Sequence, residues 1–165
     1  MNTLVRLTAA IIALAASSVM TKVEAADSIV GTWRLLSWAE EETASKAVHK
    51  SFGDNPLGFL TYTADGHMMI MFADPSRTPA AAPKATDTEA AQLYRTMVAY
   101  VGRYTLEGDK IIHHIDVAWN QAWNGTDQQR LIELKDGHLT IKTTPFVSPF
   151  SNKEVVATLL WERAK

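Results

Sequence analysis

A chain of 165 residues, 47% hydrophobic and 21% charged, suits one domain around a single core. A formal net charge of −2 leaves no basic footprint for nucleic acid or for an anionic membrane surface. There is no cysteine, so neither disulfide staples nor thiol chemistry is available.

The N-terminus reads as an export signal. Met1 to Leu7 carries one base, Arg6, and no acid; an apolar stretch then runs from Thr8 to Met20. Val23-Glu24-Ala25 places small residues at cleavage spacing. A charged region, an apolar region and a cleavage site in that order predict a secretory signal peptide over 1–25, with cleavage after Ala25 or Ala26. The domain then occupies 26–165. Removing Arg6, Lys22 and Glu24 moves the net charge from −2 to −3. The apolar run is short for a bilayer span and no later one is longer, so the expected product is periplasmic or secreted, without integral membrane association.

Short alternating runs separated by turn residues make up most of the remainder. The first is Ile29 to Trp38, followed by the charged stretch Glu40-Glu41-Glu42, and a weaker one spans Ala47 to Phe52. Gly58–Thr63 and His67–Phe72 are joined through Ala64-Asp65-Gly66, a strong hairpin signal. Ala73 to Pro83 reads as a loop, and Thr86 to Tyr100 switches to helical period, with Thr86 or Thr88 as cap and Ala90, Leu93, Met97 and Tyr100 on one face. Tyr100–Leu106 and Lys110–Val117 pair across Glu107-Gly108-Asp109. Gln128–Leu134 and His138–Thr143 pair across Lys135-Asp136-Gly137, and Val155 to Arg163 closes the chain. Eight or nine strands with one helix predict an all-β sandwich or barrel, and closure removes exposed edges.

Two short pieces favour the barrel. Gly31-Thr32-Trp33 lies on the opening strand and Trp161-Glu162-Arg163 on the closing one. In a closed barrel these strands are neighbours, so the Arg163 guanidinium can stack on the Trp33 indole. Gly31, Trp33 and Arg163 together resemble the structural signature of lipocalins and the wider calycin group. Pro56–Met68, Tyr100-Val-Gly-Arg-Tyr-Thr105, Lys110-Ile-Ile-His-His114, Trp123–Arg130 and the terminal Leu160-Trp-Glu-Arg163 are similar to the bacterial and fungal lipocalin-like domain family. The resemblance implies a closed antiparallel barrel of about eight strands with one inserted α-helix. It implies no particular ligand or activity.

Candidate site residues follow from strand alternation. His113 shares a face with Ile111, Ile115 and Val117 and is the inward histidine of the His113-His114 pair; His114 is expected outside, against Asp116 or Arg103. His113 is also the best candidate for acid–base work. Arg130 alternates with Ile132 and Leu134, and a buried Arg needs an acid, several acceptors or a ligand carboxylate. Tyr62 and Tyr104 can bring hydroxyls to the interior, while Met69 and Met71 suit a ligand wall or, better, core filling. Trp119 and Trp123, in an amide-rich connection, either grip a ligand at the mouth or plug one end.

Tyr62, Met69, Tyr104, His113, Trp119, Trp123 and Arg130 are thus the predicted lining of a site for a small, largely apolar or amphipathic molecule. An isomerase, cyclase or hydro-lyase using His113, and an interaction module with a plugged barrel, are the alternatives. No motif calls for a metal, a nucleotide or another cofactor, and no nucleophile elbow is present.

Overall fold

The structure is a computed structural model that describes residues 29–165; the segment 1–25 read as a signal peptide lies outside them. The expected turns give the expected hairpins. β1 (Gly31–Glu42) is followed by a two-residue strand, β2 (Val48–His49), then by β3 (Leu57–Tyr62) and β4 (His67–Ala73). β5 (Met97–Glu107) and β6 (Lys110–Ala118) form the next pair, and β7 (Asp127–Lys135) and β8 (His138–Thr143) the third. β9 (Phe146–Val147) precedes the closing strand β10 (Glu154–Arg163).

Eight of these strands form a closed antiparallel barrel in the order β1-β3-β4-β5-β6-β7-β8-β10, and β10 pairs back onto β1 from Trp33↔Arg163 to Glu42↔Val155. β2 and β9 are short additions to β1 and β10. The tight turns all lie at the end where the barrel begins and finishes. The longer connections, before β3, between β4 and β5, between β6 and β7 and before β10, gather at the other end.

At the tight-turn end the Arg163 guanidinium carbon sits 4.5 Å from the centroid of the Trp33 ring. Its Nη1 donates to Val30 O at 3.0 Å, while Trp33 Nε1 donates to Ile29 O at 2.8 Å. Gly31 makes this stacking possible: its φ is +134°, and a Cβ there would lie 2.6 Å from Arg163 Nη1. Trp33, Leu60, Ile111, Leu139 and Trp161 fill the barrel behind it and are wholly buried.

Two β-bulges change the phase of the alternation. One lies between Leu35 and Ser37 on β1; beyond it the inward residues are Trp38, Glu40 and Glu42. The other lies between Val101 and Gly102 in the β5–β6 pairing, so Ile111, His113 and Ile115 are buried but Val117 faces solvent, where the uninterrupted pattern had placed it inside. Gly102 is required at this crossing, because a Cβ would lie 2.0 Å from the His114 carbonyl oxygen.

The helix is shorter than its apolar period suggested. α1 spans Asp87–Tyr94, capped by Thr86, whose Oγ1 accepts from Glu89 N at 3.3 Å while Glu89 Oε2 accepts from Thr86 N at 2.8 Å. Met97 and Tyr100 are not helical. They belong to β5, where buried Val98 and Tyr100 alternate with less buried neighbours and the strand gains pairing on both sides. Met69 and Met71 also differ from expectation. Met68, Ile70 and Phe72 take the inward phase of β4, leaving Met69 57% exposed on an outer apolar face shared with Leu57, Phe59, Met71 and Val101. Neither Met69 nor Met71 fills the core.

Gly31→Ala is expected to destabilise the fold by about 1–3 kcal/mol, since it imposes an unfavourable φ and displaces Arg163 from Trp33. Urea unfolding measures this, and an unchanged midpoint with unchanged slope would contradict the role given to Gly31.

Candidate functional site: a one-ended cavity inside the barrel

Inward alternation would fill the barrel completely if every inward residue were large. Near the end with long connections it is not: Ala157 and Thr143 stand where bulkier side chains stand elsewhere. A cavity of about 320 Å³ remains. Its apolar walls include Trp38 of β1, Ile70 and Phe72 of β4, Val98 of β5, Ile141 of β8, and Leu159 and Trp161 of β10. The rim is aromatic. Trp38 packs edge-on against Phe52, Phe72 and Phe150 at centroid distances of 4.6, 5.2 and 5.3 Å. Trp123 contributes from the 119–126 connection.

Three buried polar elements, His113, Arg130 and Glu40, border the cavity. His113 is buried, and both of its ring nitrogens are taken: Nε2 lies 2.7 Å from the Tyr62 hydroxyl and Nδ1 lies 3.0 Å from that of Tyr100. Burial, reinforced by the nearby Arg130 charge and then His114, pushes the His113 pKa well below its ordinary range, so the ring is neutral. A neutral imidazole donates through one nitrogen and accepts through the other. Tyr62 donating to Nε2, with Nδ1–H donating to Tyr100, leaves no hydroxyl hydrogen stranded on the closed side. Arg130 also interacts with the Tyr100 hydroxyl, and with Nδ1–H as the donor the hydroxyl hydrogen of Tyr100 is available to a partner in the cavity. Burial raises both phenol pKa values, keeping both tyrosines protonated.

Arg130 is the second polar element and lines the cavity while only 8% exposed. It donates to Gln129 O at 3.0 Å and to the side-chain oxygen of Gln128. None of the ion pairs among the described residues includes it. A buried guanidinium is thus held by neutral acceptors alone. Trp161, also on the wall, has its buried indole N–H without a hydrogen-bond partner among the described residues.

Glu40 is the third. It lines the cavity at 1% exposure, its two carboxylate oxygens each lie 3.0 Å from the Ser148 hydroxyl, and the Ser51 hydroxyl is a further donor to it. Burial raises its pKa, against the opposing effects of Ser148 and His49.

The predicted lining residues are brought together only in part. His113, Trp123 and Arg130 border the cavity, and Tyr62 lies behind His113. Tyr104 is turned to the tight-turn end, where its hydroxyl donates to Thr63 O at 2.9 Å and its ring packs on Tyr62. Trp119 stacks on Phe150 at 6.2 Å and donates to Tyr94 O, supporting the rim from outside. Met69 is on the opposite face of the sheet. His114 is outward, but its partners are Asp127 at 2.7 Å, directly opposite on β7, and Thr105 at 2.9 Å, diagonal to it on β5, not Asp116 or the directly opposite Arg103. Glu40, Trp161 and Thr143 were missed. Alternation counted back from Trp161 through Leu159 and Ala157 is visible in the sequence; the phase of Glu40 is hidden by the β1 bulge.

A family model described as the lipocalin-like domain matches residues 30–164. The chain belongs to the lipocalin-like domain family. No curated protein matches it. Among solved structures it is similar to a lipocalin-like protein from Bacteroides uniformis, at 11% identity and a TM-score of 0.44, covering 83% of this chain and 99% of that one. It is also similar to a mutant of the fluorescent protein UnaG, at 18% identity and a TM-score of 0.38, covering 84% and 97% of the respective chains.

His113 is expected to keep the 15N shifts of a neutral imidazole at pH 6, since its native pKa lies well below the unfolded value of about 6.5. The sign follows: the unfolded chain takes up a proton near pH 6.5 that the native ring refuses. The contribution of His113 to stability is therefore complete above that pH and declines below it. An imidazolium signal from His113 at pH 6 would contradict the burial argument.

Proposed function

We propose that the barrel binds a small, largely apolar organic anion, and that the protein does so after export. The observation that carries this reading is the buried Arg130 guanidinium on the wall of a largely apolar cavity, with no acidic partner among the ion pairs of the described residues. Burying a charge without a counter-charge is costly, and a ligand carboxylate would supply one in a low-dielectric setting. The hydroxyl hydrogen of Tyr100 supplies a further donor on the same walls. With Glu40 on the far side of the cavity and Asp127 paired to His114, these donors favour an anion over a neutral ligand at Arg130. The apolar walls favour an aromatic or aliphatic body attached to it. A cavity of about 320 Å³ lies at the small end of the usual range for ligand sites, which sets the size of the molecule.

Membership of the lipocalin-like family agrees with small-molecule binding and names no ligand. His113 would serve this site as a positioning group: both its nitrogens are occupied by tyrosines, so it meets a ligand only through Tyr100. Export rests on the pattern of residues 1–25. Protein recovered from its native compartment is expected to begin at Ala26 or Asp27, and N-terminal sequencing that found Met1 retained would remove this part of the proposal.

The binding test uses 4-phenylbutanoate and the neutral 4-phenylbutanamide, followed by calorimetry. The acid is expected to bind more tightly than the amide, and Arg130→Met to weaken the acid by about tenfold or more, equivalent to about 1.4 kcal/mol, while leaving the amide unchanged. Equal affinities for acid and amide, indifferent to Arg130→Met, would overturn the reading.

A further inference from the structure

Arg130 and Glu40 are the two ends of one row. Arg130 of β7 stands opposite Thr143 of β8. Thr143 Oγ1 accepts from Ala157 N of β10 at 2.8 Å, and Ala157 stands opposite Glu40 of β1. The four residues lie on four consecutive strands, all are buried, and all line the same cavity. Three strand spacings separate the ends, about 14 Å measured along the wall. The two middle residues are small, and that is where the space lies. A basic group and an acidic group thus face one cavity from its two sides, and no ion pair joins them.

Resting on the binding reading above, we infer that the site takes a two-ended ligand: an anion at Arg130, an apolar middle over Thr143 and Ala157, and a hydrogen-bond donor, best an ammonium, at Glu40.

Two features support Glu40 as the second anchor. Its carboxyl oxygens are met only by the Ser148 and Ser51 hydroxyls, fewer donors than the roughly four a carboxylate can accept, so acceptor capacity is left over for a ligand. Its cavity position is also particular to it within the acidic stretch. Glu42, two residues along the same face, is engaged by Lys153 at 2.5 Å and His49 at 2.8 Å and has a pKa lowered to about 2, whereas burial raises that of Glu40. Glu41, between them, is exposed and faces Lys46. Glu42 is therefore a structural strap between β1, β2 and the Lys153 loop, while Glu40 is left to the cavity.

The test compares 4-phenylbutanoate with its para-aminomethyl derivative on wild type, Glu40→Gln and Arg130→Met. The ratio of the two affinities is expected to favour the amine by at least tenfold more in wild type than in Glu40→Gln, and Arg130→Met to weaken both probes. If Glu40→Gln does not fold, the carboxyl 13C resonance of Glu40 in wild type replaces it. That resonance should move on addition of the amine derivative and stay in place with 4-phenylbutanoate. An unchanged ratio, or an unmoved resonance, with Arg130-dependent binding of 4-phenylbutanoate intact would overturn the two-ended ligand and leave the anion site standing. Absence of Arg130-dependent binding by either probe would overturn both.

Discussion

Closure of the barrel depends on the pairing of its first and last strands, and the site depends on closure. β1 and β10 are far apart in sequence and meet over nearly their whole lengths, with Arg163 clamped on Trp33 at one end and Glu42 opposite Val155 at the other. Once the ring is shut, alternation leaves no choice about which side chains share the interior. Glu40 and Arg130, separated by most of the chain, are brought to the two sides of one cavity by that ring of hydrogen bonds alone.

The interior is asymmetric because its two ends are built differently. Tight turns and large residues such as Trp33, Leu60 and Leu139 make one end solid. At the other, longer connections carry Phe52, Trp123 and Phe150 over the rim, and Ala157 and Thr143 hold the wall back. The buried charged groups Glu40 and Arg130 both border this space. The Tyr62–His113–Tyr100 chain ends on a hydroxyl facing the cavity, so a buried network that is satisfied on its closed side has its remaining valence on the open side.

Much of the architecture was legible in the sequence because local chemistry and global fold agree. Asp65-Gly66, Gly108 and Asp136-Gly137 each take positive φ at one or both positions in the turns they predicted, and Gly31, Trp33 and Arg163 meet as their types suggested. The departures have physical causes. Met97 and Tyr100 fit a helical period by coincidence, and pairing with β4 and β6 decided otherwise. Met69 and Met71 are apolar on an outer face, where composition does not distinguish inside from outside. Glu40 was read only as part of a charged stretch after the first strand, because the bulge after Leu35 shifts the phase by one residue and a bulge leaves no mark in the pattern.

The central claim is that Arg130 is kept for a ligand rather than for the fold, and the stability of the unliganded Arg130→Met protein tests it most directly. Met has similar length, needs no counter-charge and suits apolar walls. If the guanidinium is uncompensated, the substitution should leave stability unchanged or raise it by about 1–4 kcal/mol in urea unfolding, as replacing a buried ionic group by a hydrophobic one often does. A loss of about 3 kcal/mol or more would mean that Arg130 is a structural member of the barrel, and would contradict the account.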